Sequence, residues 1–297
     1  YEQQYEQQYE QQYEQQYEQY NQHNQHNQQQ QPDGYSRLPT GGLIYKSSPP
    51  TSNKQTKGPN VHIVVSPGNP GSVVFYTNLI DYISQRTSQT TWGWGYLGHN
   101  PSDPPSPPQS LSLQTSTLTN LLNHITDVNY EPPPAPMAKF IIVGHSIGCY
   151  INRRATVKGK HTIIKLIEVM PFCSWNPNPK FLRATAINLT KAPTLTLNTI
   201  NILRKAISSI GENNIKRMLE IQGVKHHKEE CIRIIKDEKY VKTFLELGKE
   251  EIEVLKDGVD VRLLSTVKST LSDGLFMLWF DGDVWCGSRV VGEIRDK

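Results

Sequence analysis

Cysteine is scarce in this chain, and nothing in it is apolar for long. Four cysteines, Cys149, Cys173, Cys231 and Cys286, stand far apart with no C-x-x-C pair. That spacing gives no zinc site and no disulfide framework, and it fits a reducing, cytosolic-side setting. No uninterrupted apolar stretch approaches the ~20 residues needed to cross a bilayer, and no signal peptide pattern is visible. A clustered basic face is lacking too: the formal net charge is +3, with Lys and Arg scattered, so nucleic acid is not an expected partner. Histidine is missing where it would matter most. All nine histidines (His23, His26, His62, His99, His124, His145, His161, His226, His227) precede the acidic cluster near the end, and none follows Asp283. The chain opens on Tyr1 and stops at Lys297 within a helix-like run, Arg289-Val290-Val291-Gly292-Glu293-Ile294. It therefore reads as a fragment at both ends.

What is present falls into two parts. Residues 1–32 carry Tyr-Glu-Gln-Gln four times in succession and then a Gln/Asn/His tract, a composition that cannot bury enough apolar surface to offset its ordering entropy. Turn residues and Pro49-Pro50 continue the loose character, so residues 1–60 read as a disordered leader and residues 61–297 as one α/β domain.

Within that domain, Val61-His62-Ile63-Val64-Val65 reads as a buried strand stopped by Ser66-Pro67-Gly68-Asn69-Pro70-Gly71. Phe75, Leu79, Ile80 and Ile83 mark a helix, Thr91–Leu97 a strand, and Leu118, Leu121, Leu122 and Ile125 the apolar stripe of another helix. Strands follow at Phe140–Val143 and Thr162–Val169, and Leu275–Phe280 resumes the sheet. Between the last two, residues 175–260 are mostly helical, with Ile200, Leu203, Ile207 and Ile210 at helical spacing; this block reads as a cap. Alternating strands and helices predict a three-layer α/β fold with a mostly parallel sheet.

The chemistry concentrates at Gly144-His145-Ser146-Ile147-Gly148, a G-x-S-x-G pentapeptide directly after a strand. This is the pattern of a nucleophile elbow, in which small residues on either side let strand and helix pass closely around a strained serine. Ester hydrolysis needs a nucleophile, a base, an acid that orients the base, and donors aimed at the developing oxyanion. Ser146 is the candidate nucleophile and the Ile147 N–H one oxyanion donor. The second donor should come from the 66–71 loop, with Asn69 the first choice and Gly68 the second. His145 is expected to aim away from Ser146 Oγ and pack against the sheet, His99 to structure its loop, and Cys149 to be a small buried residue. From the residues alone Asp273, Asp281 and Asp283 all remain open as the acid. No metal or cofactor is called for.

Ser-Pro-Gly-Asn-Pro-Gly (66–71) with Phe75-Tyr76 downstream, Gly98-His99, the elbow, and Asp283-Val284-Trp285-Cys286 together resemble the lipid droplet-associated hydrolases, a branch of the α/β-hydrolases, over roughly residues 61–290. The resemblance implies Ser146 as nucleophile and Asp283 as triad acid, although Val284 stands where the family usually has proline. It also implies a triad histidine, and one further strand, beyond Lys297, so that the fragment itself would be almost inactive. The implied function is hydrolysis of lipid esters, sterol esters among them, by a protein attached peripherally to the cytosolic face of lipid droplets and endoplasmic reticulum. Two rivals stand beside it: a non-catalytic hydrolase-like protein acting at a droplet surface, and a thioesterase or peptidase.

Overall fold

The computed structural model describes residues 34–38, 40–49, 61–100, 110–129, 138–159, 161–173, 193–221, 227–256 and 258–279. Asp281, Asp283, Phe280 and residues 1–33 lie outside that set. Seven strands form one sheet in the order β1-β2-β4-β3-β5-β6-β7. They are β1 (Tyr35–Arg37), β2 (Leu43–Ser47), β3 (Val61–Ser66), β4 (Thr91–Trp94), β5 (Lys139–His145), β6 (Thr162–Val169) and β7 (Leu275–Leu278). The strands β4, β3, β5, β6 and β7 run parallel, and β1 and β2 are antiparallel additions at one edge.

Those two edge strands correct the expected leader, because the sheet begins at Tyr35 and not near Val61. The short segment Leu43-Ile44-Tyr45 was masked by Gly and Pro on either side, yet Ile44 is fully buried and pairs with Trp94 on β4.

Successive side chains of a strand point to opposite faces, and both faces are covered. Val64, Phe140 and Ile142 join the larger core, while Val65 and Val143 join a smaller one on the other side. Helix α1 (Thr77–Thr87) covers the smaller core through Ile80. Helices α2 (Leu111–Asn129) and α3 (Ile147–Lys158) cover the larger one, and the stripe Leu118, Leu121, Leu122 and Ile125 is buried throughout, as its spacing predicts. This is the three-layer α/β arrangement.

Helices α4 (Pro193–Ser209), α5 (Glu212–Ile221), α6 (Lys228–Lys236) and α7 (Glu238–Leu255) pack on one another, and α7 also packs on α2. The last helix, α8 (Val261–Thr270), returns to the main body against α3. The starts of α7 and α8 are set by Asp237, whose carboxylate accepts from the N–H groups of Lys239 and Tyr240, and Asp260, which accepts from Leu263. Each such cap contributes about 0.5–2 kcal/mol. The α4 stripe is not a core stripe: Leu203 is 57% and Ile210 41% exposed. Among the described residues no helix is long and apolar enough to cross a membrane.

Strand β7 is the outer strand of the described sheet, with Phe276 and Leu278 exposed. Exposed apolar edge strands invite intermolecular pairing. Since Lys165 sits over the Phe276 ring, Phe276→Glu places a complementary charge there. Light scattering on concentrated protein should show less association for this variant, with a thermal midpoint close to the parent; unchanged association would show that the edge is not responsible.

Candidate active site

The carboxyl ends of the parallel strands β3, β5, β6 and β7 share one side of the sheet, the usual place for a site in such folds. Ser146 stands there between β5 and α3 with φ 53° and ψ −122°. A left-handed non-glycine residue costs on the order of 1–3 kcal/mol, so the neighbourhood must hold it. Its N–H donates to the Val169 carbonyl, and its carbonyl accepts from the N–H groups of Cys149 and Phe172, each at 3.1 Å. The flanking glycines are required by contact. A Cβ on Gly144 would strike Asn152 Nδ2 and the Cys149 backbone, and one on Gly148 would strike the Pro67 carbonyl. Ile147 opens α3, where the first N–H groups have no partner within the helix.

The Ser66–Gly71 loop lies against this elbow. Its Gly68 N–H donates to the Tyr76 hydroxyl at 2.9 Å, and the same hydroxyl is 2.8 Å from His145 Nδ1. Gly68 is thereby engaged, which leaves Asn69 as the loop's candidate oxyanion donor. His145 is held by the Tyr76 hydroxyl. The Gly71 N–H donates to His99 Nδ1 at 3.0 Å, the Tyr96 hydroxyl donates to the Pro67 carbonyl at 2.5 Å, and the Tyr96 N–H donates to the Gly71 carbonyl at 2.8 Å. Complete burial lowers the His99 pKa to about 3. His99 is therefore a neutral acceptor that shapes the loop.

The buried pair behind the elbow was not foreseen. Arg153 on α3 donates through Nε to Glu168 Oε1 at 2.7 Å and through a terminal nitrogen to Glu168 Oε2 at 2.5 Å, and it also reaches Cys173 Sγ at 3.1 Å. Burial alone would pull the Arg153 pKa down, but Glu168 holds it well above its usual value. The pair fixes the helix after Ser146 to the strand beside it. Truncating one partner of such a pair costs about 3–5 kcal/mol. Cys149 is buried as expected, and burial pushes its thiol well up, away from reactivity.

Of the three candidate acids, Asp273 is at the wrong end. Its N–H donates to the Ile164 carbonyl, level with the middle of β6, and its side chain is exposed. The chain leaves β7 at the right end, where the Met170 N–H donates to the Leu278 carbonyl at 2.7 Å, from the same peptide unit whose Val169 carbonyl holds Ser146. Asp281 and Asp283 follow from there, outside the described residues. Among the described histidines, His62 and His161 lie beside Phe140 at the opposite end of the sheet, and His124 stacks edge-on against Trp92.

The cap reaches the loop through α7. Asn69 Nδ2 donates to the Phe244 carbonyl at 2.9 Å, and a Cβ on Gly248 would lie 3.4 Å from the same nitrogen. From α6, Glu230 accepts from the Ser72 hydroxyl at 3.1 Å. Helix α7 also buries two adjacent carboxyls. Glu250 accepts from the Leu111 N–H at the start of α2 at 2.9 Å, and burial raises its pKa to about 6. Glu251 is fully enclosed, and burial raises it to about 8 against the pull of a hydrogen bond from Asn69. In the sequence these two looked like ordinary members of a charged helical face.

A strained serine at the strand-to-helix turn of a mostly parallel sheet, which has seven strands among the described residues and helices on both faces, is the arrangement of an α/β-hydrolase fold. Solved structures of similar fold include a putative epoxide hydrolase from Pseudomonas aeruginosa (TM-score 0.54, 11% identity, covering 88% of this chain and 94% of that one). A carboxylesterase from the thaumarchaeon Nitrososphaera gargenis has a TM-score of 0.52 at 13% identity, covering 88% and 85%. A haloalkane dehalogenase from Bradyrhizobium elkanii has 0.52 at 11%, covering 88% and 84%. These three chemistries differ, so the likeness speaks for the fold alone. Residues 59–297 match the family described as Lipid-droplet associated hydrolase, and the chain belongs to that family. No curated protein matches it in sequence.

Glu251 gives a pH-dependent prediction. The folded protein holds this proton more tightly than the unfolded chain, whose carboxyl has the ordinary value near 4.5. The stability it lends is full below that value and is lost as pH rises towards about 8. Glu251→Gln keeps the shape and removes the titration. By calorimetry its midpoint at pH 8 should exceed the parent's by at least about 2–4 °C, the equivalent of about 1 kcal/mol in a domain of this size, and the gap should close at pH 4.5. Parallel melting profiles across that range would contradict the assignment.

Proposed function

We propose that this hydrolase is a serine esterase acting on lipid esters. The observation that carries the reading is the half-exposed Ser146 in a left-handed backbone, at the carboxyl end of β5 and directly before the first N–H groups of α3. Ser146 attacks the ester carbonyl, and the N–H groups of Ile147 and Asn69 receive the oxyanion. Asp283 orients the base, a histidine that follows the acid in chain order as in other α/β-hydrolases. Support for Asp283 comes from its place in the chain a few residues after β7, which ends at Leu278 on the Ser146 side of the sheet. Sterol esters are one substrate class within this reading; the site itself selects no particular acyl ester.

The working place in this reading is the cytosolic face of lipid droplets and endoplasmic reticulum. The family description supports the droplet, and the cap supplies a contact surface. Ile202 and Leu203 on α4, Ile210 in the turn after it, and Met218 and Ile221 on α5 are all exposed, Ile221 at 74%. Exposed apolar residues gathered on one structural unit mark an interaction site, and on helices they suit burial to a shallow depth in a lipid surface.

Two measurements test these proposals. In lysate of cells expressing the natural protein, a fluorophosphonate probe should label it covalently and Ser146→Ala should abolish the label; equal labelling of both would remove Ser146 as nucleophile. Separately, Leu203→Glu with Ile221→Glu in a fluorescent fusion should shift the protein from droplets to cytosol while probe labelling persists. Undiminished droplet staining would rule out this face as the anchor.

A further inference from the structure

We infer that Tyr76 is a positioning residue of the Ser146 site: its hydroxyl ties the Ser66–Gly71 loop to the elbow residue His145 and so sets the gap in which an acyl carbonyl meets the serine. This inference rests on the serine-hydrolase reading above.

Three separately placed segments meet at this one oxygen. Tyr76 ends the 3-10 turn Val73–Tyr76, Gly68 belongs to the loop after β3, and His145 ends β5. The hydroxyl accepts the Gly68 N–H at 2.9 Å and lies 2.8 Å from His145 Nδ1. Burial lifts the phenol to about 12, so it stays protonated at any working pH. A phenol has one proton. With a lone pair engaged by Gly68, that proton completes the chain by donating to Nδ1, which places the imidazole's own proton on Nε2.

Gly68 itself has no side chain and no room for one, so its N–H is the group by which Tyr76 holds it. A Cβ there would lie 3.0 Å from Ser146 Cβ and 2.8 Å from His145 Nδ1. Gly68 thus forms one flank of the nucleophile, and the residue after it is the proposed oxyanion donor. The Tyr76 ring meanwhile packs on the smaller core with Val143 and Ile83, a contribution that phenylalanine would keep. What the hydroxyl adds is the spacing between loop and elbow. A misplacement of about 1 Å remote from the reacting atoms can cost on the order of 10²-fold in rate.

The test uses the natural full-length enzyme with a short-chain nitrophenyl ester and a fluorophosphonate probe. For Tyr76→Phe, kcat and the probe's labelling rate should both fall on the order of 10²-fold, with KM nearly constant and the thermal midpoint close to the parent's. His145→Ala cuts the same link at its far end and should show the same split; it decides the matter if Tyr76→Phe does not fold. The double variant should be no slower than the slower single one, because two cuts in one chain are not additive. Full activity of Tyr76→Phe while Ser146→Ala is inert would overturn the inference, as would a loss confined to KM or strictly additive losses. Activity surviving in Ser146→Ala would instead bring down the serine-hydrolase reading, and this inference with it.

Discussion

The left-handed backbone at Ser146 is the constraint around which the rest of the protein is arranged. A serine does not adopt φ 53° unaided, and three backbone hydrogen bonds from two other segments keep it there. Those bonds need the turn after β6 within reach, which in turn needs α3 held close to that strand. The Arg153–Glu168 pair does so from within the core. The close approach leaves no space for a Cβ at Gly144 or Gly148. Removing any one of these features relaxes the strain that exposes the hydroxyl.

The loop opposite the elbow is defined from three sides. Buried Tyr96 and His99 hold its base, Tyr76 holds its middle against the elbow, and α7 takes the Asn69 side chain. The same residue that is proposed to bind the oxyanion through its N–H is thus bound through its amide to the cap. On the same helix Glu251 lies enclosed, its pKa raised by burial against a hydrogen bond from Asn69. The helical block presents two sides: α7 meets the Ser66–Gly71 loop, while α4 and α5 turn apolar side chains outward.

The core elements were legible in the sequence because their physical signals are local. A β-branched run between turn residues marks β3 and β6, and the stripe on α2 follows from one helical period. The elbow was equally legible, since the need for small residues around a strained serine is written into five consecutive positions. Strands β1 and β2 were not, because a short segment among Gly and Pro shows its role only when Ile44 finds Trp94 across the sheet. For α4 the spacing left the matter open: helical spacing of apolar residues does not say whether a core or an outer surface receives them.

By itself the sequence determined the α/β class, the position of the strained serine, the two glycines that admit it and the loop facing it. All of these depend on neighbouring residues and on backbone freedom. Only the tertiary structure decided between groups of equal chemistry. Strand register places Asp273 at the end of the sheet away from Ser146, and the Gly68 N–H is taken up by a tyrosine eight residues on in the chain. His99 becomes a structural acceptor and Glu251 departs from an ordinary surface carboxylate, in both cases through burial. Protonation and hydrogen-bond partnership are properties of an environment, and that environment is assembled from residues distant in the chain.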